Sequence, residues 1–207
     1  MSEWWSYRLS DFLMFSPATY WRLVALYHRE IWPLQLLAAV GGVACLALAV
    51  RPRPWKARIV CVLLAAAWLW VGWAFHAQRY ATINWAASWL ALAFAAQALL
   101  LGLAAVTVRP HAAVLVPAAS HGMAARTGWL LAGAAVLLYP VAGLLAGRPL
   151  AQAEMFGVTP DPTALATLGL LFAMRTQLRR GWTWWLGLIP ALSLAIGTAT
   201  LWTLRGA

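Results

Sequence analysis

Six apolar runs, all but the fifth close to the length of a bilayer crossing, fill this chain from Ile31 onward. A helix rises 1.5 Å per residue, so about 20 apolar residues cover a hydrocarbon core roughly 30 Å thick. The runs extend from Ile31 to Val50, from Ile59 to His76 and on towards Arg79, and from Asn84 to Val108. The remaining three cover Gly128 to Gly147, a short stretch from Pro162 to about Met174, and Trp182 to Leu204. Lipid offers backbone amides no partner, which leaves helices as the natural form for such runs. Hydrophobic residues make up 64% of the chain and charged residues 10%, whereas a soluble domain is about half apolar and a quarter charged. The expectation is an all-α, polytopic membrane bundle. Six transmembrane helices occupy residues 31–207, and interfacial amphipathic helices occupy residues 1–30.

The N-terminal segment lacks the form of a secretory signal, because Glu3 and Asp11 interrupt it. Trp4, Trp5, Tyr7, Phe12 and Phe15 suit the headgroup level, where aromatic rings prefer to sit. Ser16-Pro17 then reads as a cap and first turn. On the helix it opens, Tyr20, Leu23, Val24 and Tyr27 share one face, and Arg22 and Arg29 share another. A crossing here would carry Arg22 through lipid at roughly 2.5–3.5 kcal/mol, so this helix is expected to lie in the interface.

Basic residues set the expected orientation. The loops after the first, third and fifth runs hold Arg51, Arg53, Lys56, Arg58, Arg109, Arg126, Arg175, Arg179 and Arg180. The opposite loops hold only Arg79 and Arg148, although Arg8, Arg22, Arg29 and Arg205 in the terminal segments join that side. All five acidic residues, Glu3, Asp11, Glu30, Glu154 and Asp161, fall there too. The expectation is a bacterial cytoplasmic-membrane protein with both termini extracytoplasmic. The net charge of +10 is distributed as loop clusters, so no nucleic-acid partner is expected. Tryptophan follows the same division. Trp55, Trp129, Trp182, Trp184 and Trp185 mark the inner interface, while Trp21, Trp32, Trp73, Trp85 and Trp202 mark the outer one. Trp68 and Trp70 lie deeper, where a belt does not account for them.

The outer half gathers the polar groups. His76, Arg79 and Tyr80 have the spacing of one helix face, and so do Asn84 with Ser88 and Thr163 with Thr167. With Glu154 and Asp161 they define a candidate vestibule, in which His76, Arg79, Tyr80, Asn84, Glu154 and Asp161 would bind a small solute. Gln97, Tyr139, Thr163 and Thr167 are the candidate pore or bundle-lining residues. The plainer reading is that His76 and Arg79 reach to the interface, Asn84 and Asp161 cap helices, and Arg79 pairs with Glu154 or Asp161 for folding alone. Asp161-Pro162 in particular reads as a helix start. Gln97, in mid-run, needs a hydrogen-bond partner inside the bundle. Gly143-xxx-Gly147 is a close-packing signal, and Pro140 and Pro190 are expected kinks.

Other chemistry finds little support. Cys45 and Cys61 sit in apolar runs and read as packing residues; pairing would require adjacent helices. His111 and His121 have no further ligands nearby, so no metal is expected. No phosphate-cradling glycine loop occurs, and no cofactor is expected.

Five stretches carry a resemblance that spans nearly the whole chain: Ser10-Asp11-Phe12-Leu13-Met14-Phe15-Ser16-Pro17, Tyr20-Trp21-Arg22, Trp32-Pro33, Ile83-Asn84-Trp85-Ala86-Ala87, and Phe156-Gly157-Val158-Thr159-Pro160-Asp161-Pro162-Thr163. Together they resemble an uncharacterised bacterial family of six-helix integral membrane proteins, a domain of unknown function loosely labelled permease. The resemblance implies membrane residence and transfers no catalytic residue.

Three functions follow as expectations. The first is a small-solute channel or transporter entered past Glu154, Asp161, Arg79 and His76. The second is a membrane-embedded enzyme using Glu154 or Asp161 as acid or base near His76. The third is a non-catalytic scaffold or assembly factor. The lipid bilayer is the one partner all three share, and self-association into a homo-oligomer is left open.

Overall fold

The computed structural model describes residues 15–50, 53–108, 122–175, 178 and 180–206. The expectations for Glu3, Trp4, Trp5, Tyr7, Arg8, Asp11, Phe12, Arg51, Arg109, His111, His121 and Arg179 fall outside the described residues, as do those for the side chains of Arg180 and Arg205. Seven helices make up the fold, with no strand among the described residues. They are α1 (Pro17–Glu30), α2 (Leu34–Ala49), α3 (Pro54–Trp70, prolonged by a π-helical segment Val71–Ala77), α4 (Ala87–Thr107), α5 (Met123–Leu145, with a π-helical segment Ala134–Leu138), α6 (Pro160–Ala173) and α7 (Arg180–Gly206).

Four of these, α3, α4, α5 and α7, are long and apolar enough to cross a membrane. The first apolar run gives a helix of 16 residues, shorter than the sequence suggests, and the fifth gives the short helix expected of it, 14 residues or about 21 Å. Before α6, residues 153–159 fold inward and are mostly buried as a loop. Phe156 and Val136 both lie against Gly42, and Gly157 lies against Ala38 and Ala67.

Local signals explain most boundaries. Ser16 caps α1, its Oγ accepting from the Thr19 amide at 3.2 Å, and Pro17 occupies the first turn. Tyr20, Val24 and Tyr27 form the buried face of α1, while Arg22 and Arg29 remain exposed. α1 meets α2 at 92° through a cis Trp32–Pro33 peptide. It packs across the chain at Leu150–Gln152 and thereby covers one end of the bundle. Gly147, at φ 76°, closes α5 with the Schellman pairing of Arg148 N–H to Gly143 O and Gly147 N–H to Leu144 O. The Gly143-xxx-Gly147 spacing therefore serves a helix end, and Gly143 faces the Arg148 guanidinium instead of a second helix.

Close helix packing occurs elsewhere. α6 is the most enclosed helix, held between α5 and α7 and touching α2 and α3. At its crossing with α5, a methyl on Gly169 would overlap the Ala132 backbone, and one on Gly128 would overlap the Gly169 carbonyl. The outer surfaces of the long helices are apolar: Leu92, Leu99 and Val106 on α4 and Leu188, Leu192 and Ile196 on α7 are exposed. A soluble monomer seldom exposes so much contiguous apolar surface.

The two ends of the bundle differ in charge. Glu154, Asp161, Glu30, Arg79 and Arg148 gather beneath and around α1. At the far end Arg58 reaches the Val108 carbonyl, and Arg175 lies beside Gly122. Asp161 packs against Gly197, on the order of 25 Å along α7 from its start at Arg180.

Candidate functional site

The inward-folding loop is held by threonines. Thr159 Oγ1 accepts from the Met155 amide at 3.0 Å and donates to the Met155 carbonyl at 3.2 Å. Thr163 Oγ1 accepts from the Gly157 amide at 2.9 Å and donates to the Thr159 carbonyl at 2.7 Å. Thr167 repeats the backward bond to the Thr163 carbonyl and accepts from the Trp68 indole at 2.8 Å. These buried hydroxyls satisfy loop backbone that would otherwise be stranded in an apolar interior. The same ladder explains Trp68, which the interfacial belts could not.

The expected helix start at Asp161-Pro162 is displaced. α6 begins at Pro160, with Thr159 in the capping position and its hydroxyl already committed to Met155, so no side chain caps the helix. Asp161 consequently sits in the first turn, where the helix dipole favours negative charge. It is 5% exposed, and its Oδ1 has no hydrogen-bond partner.

Arg79 does not pair with either buried carboxylate. The helix face joining His76, Arg79 and Tyr80 is lost because α3 widens to a π-helix over Val71–Ala77 and then ends. Arg79 turns outward: its Nε donates to Glu30 at 3.0 Å, its Nη1 donates to the Ala74 carbonyl at 2.7 Å, and its guanidinium covers the Tyr27 ring at 4.8 Å. Glu30 keeps 58% of its side chain in solvent, so this pair contributes at most about 1 kcal/mol. Arg148 is the cation for Glu154, at 3.3 Å, and it also stacks on Trp21 at 4.0 Å. Burial raises the Glu154 carboxyl above its ordinary range, and Arg148 opposes that shift.

Asn84 and Ser88 do not share a helix face, since α4 starts only at Ala87 and Ser88 is exposed. Asn84 instead closes the turn before α4. Its Oδ1 accepts from the Ala86 amide at 3.0 Å, and its Nδ2 donates to the Tyr80 hydroxyl at 3.1 Å. Gln97 is fully buried and donates to the Leu186 carbonyl at 2.9 Å, joining α4 to α7. Cys45 and Cys61 are both buried and free, on α2 and α3.

Among the expected site residues, the fold brings His76, Tyr80 and Asp161 together. They line a cavity of about 30 Å³, with Ser193, Gly197 and Thr200 of α7 on the opposite wall. Tyr20 of α1 and Leu90 of α4 also line it. His76 is 2% exposed, and neither ring nitrogen has a partner. Its ring stands edge-on to Phe94 at 4.5 Å and to Phe75 at 5.3 Å. Glu154 and Tyr139 also stand near Asp161. Asp161, Glu154 and His76 are thus buried under α1 rather than set around an open mouth. Tyr20, Ser193 and Thr200 were missed from sequence. Their signal was weak: Tyr20 reads as the apolar face of an amphipathic helix, and the two hydroxyls sit in an otherwise unremarked run.

The fold and the cavity together define the class: an all-helical bundle with apolar outer faces and a small ionisable chamber under a covering helix. Residues 18–205 match a family of unknown function (DUF6064), and the chain belongs to that family. No curated protein and no solved structure matches the chain.

Proposed function

We propose that this chain is an integral protein of a bacterial cytoplasmic membrane that moves a small solute through the chamber lined by His76 and Asp161. The observation that carries the reading is a pair of buried ionisable side chains with unpartnered polar atoms, facing one cavity inside apolar helices. Ionisable groups in such a setting are costly to keep and tend to mark solute or ion pathways. The six-crossing arrangement belongs to the same proposal: α3, α4, α5 and α7 are full-length crossings, α2 and α6 are short ones, and α1 lies in the outer interface. On this reading Lys/Arg-rich turns face the cytoplasm, and the two termini are extracytoplasmic.

The chamber is small and lies beside Tyr20 of α1, so the reading is of a carrier with little free space more than of an open channel. Opening would require α1 to lift from the loop at Leu150–Gln152. The enzyme reading gains from the shared cavity of His76 and Asp161, but about 30 Å³ leaves no room for an organic substrate. Transport is the better fit. Proteoliposomes containing the full chain, assayed for ion and small-solute flux, test it: flux should exceed that of empty vesicles and fall at least tenfold in Asp161→Asn. Flux equal to empty vesicles, or unaffected by Asp161→Asn, sinks the reading.

A further inference from the structure

The chamber's size and its two unpartnered groups narrow what it holds. A polar cavity needs roughly 10–15 Å³ to take one water, so about 30 Å³ accommodates about two. Its walls offer Asp161 Oδ1 and both His76 nitrogens without protein partners, together with the hydroxyl-bearing residues Tyr80, Ser193 and Thr200. Too few anionic ligands face it to hold a divalent metal, and no group of three metal-ligating residues occurs among the described residues. An oxygen acid and an imidazole around two waters are suited to one substrate, the proton.

We propose that Asp161 and His76 form a water-bridged proton-exchanging pair, and that the solute moved through this chamber is coupled to, or is itself, a proton. The inference rests on the transport reading for its purpose, though not for its test. In the step itself, the Asp161 carboxylic acid gives its proton to one chamber water, that water passes a proton to its neighbour, and the neighbour gives one to a His76 nitrogen, so both waters end neutral. The products are a carboxylate and an imidazolium, the chamber's net charge is unchanged, and the reverse transfer restores the neutral pair. The tenancy of one mobile proton avoids the burial of a lone charge.

The surrounding groups are consistent with that balance. Facing Asp161 are Tyr20 from α1, His76 from the end of α3, Tyr80 from the turn after it, Tyr139 from α5, and Glu154 from the loop with Arg148 beyond it. From α7 come only the uncharged Ser193 and Thr200, and from α4 the apolar Leu90. Arg148 is occupied by Glu154, which leaves Asp161 without a paired cation among the described residues, and His76 is the base that lines its cavity. Gly197 is required where it stands, since any side chain there would overlap the Asp161 carboxylate.

Infrared difference spectroscopy of the full chain in detergent, titrated from pH 5 to pH 9, reads the pair directly. The expected result is a carboxylic acid carbonyl band that is lost as the pH rises, is absent in Asp161→Asn, and shifts its midpoint by at least one pH unit in His76→Gln. Near-normal helical circular dichroism in both variants keeps the comparison valid, and Ser193→Ala serves as a folded second probe with an expected smaller shift. A band insensitive to Asp161→Asn, or a midpoint unmoved by His76→Gln in folded protein, overturns the pair. A titrating pair without any liposome flux would overturn the transport reading and leave the pair standing.

Discussion

Gln97 on α4 donates its side-chain amide to the carbonyl of Leu186 on α7, the acceptor that Pro190 leaves without a helical partner. Proline has no N–H, so the residue four positions earlier loses its backbone bond. Leu186 is that residue, and Gln97 supplies the missing donor at 2.9 Å. A mid-helix amide and a mid-helix proline, unrelated in the sequence, are thus two halves of one hydrogen-bonding arrangement between helices.

That relationship predicts a coupled pair of substitutions. Gln97→Leu should destabilise the protein by about 1–2 kcal/mol, because it strands a buried carbonyl. Pro190→Ala restores the helical donor, so Gln97→Leu made in that background should cost less than half as much. Thermal unfolding of the four proteins in one detergent measures the coupling. Equal costs in both backgrounds would show that the amide is not serving that carbonyl.

The buried ion pair makes an asymmetric prediction. Arg148→Met leaves Glu154, 2% exposed, without its cation. The cost should be about 3 kcal/mol, the lower end for breaking a buried pair, because Arg148 retains some solvent contact. Arg148→Met with Glu154→Gln should recover most of that loss. Chemical denaturation of the two variants beside the parent decides it.

Packing between α5 and α6 gives a steric prediction. Gly169→Ala drives a methyl into the Ala132 backbone, whereas Gly133→Ala meets nothing within 4 Å. The first should cost about 1–3 kcal/mol, as for overpacked cores. The second should be neutral or slightly stabilising, because alanine favours the helix. Detergent-solubilised melting curves of the two variants separate them.

Much of the helical arrangement was legible in residue order, because apolar run length and cap chemistry are local. Ser16-Pro17 opens α1 where those residues suggest, and Tyr20, Val24 and Tyr27 bury the face their spacing defines. Partners were not legible. The plainer reading of the sequence pairs Arg79 with Glu154 or Asp161, but the π-helical end of α3 turns it towards Glu30. His76, by contrast, turns inward to the chamber with Asp161.

That the chain is helical, apolar on its surfaces and divided in charge between its ends follows from composition and spacing within single segments, and so does the shortness of α6. That residues 153–159 fold inward, that α6 is enclosed, and that Asp161 and His76 line the same small cavity came from packing alone. Those outcomes depend on which helices lie side by side, and side-by-side packing is fixed by close approaches such as Gly169 on Ala132, between residues far apart in the chain.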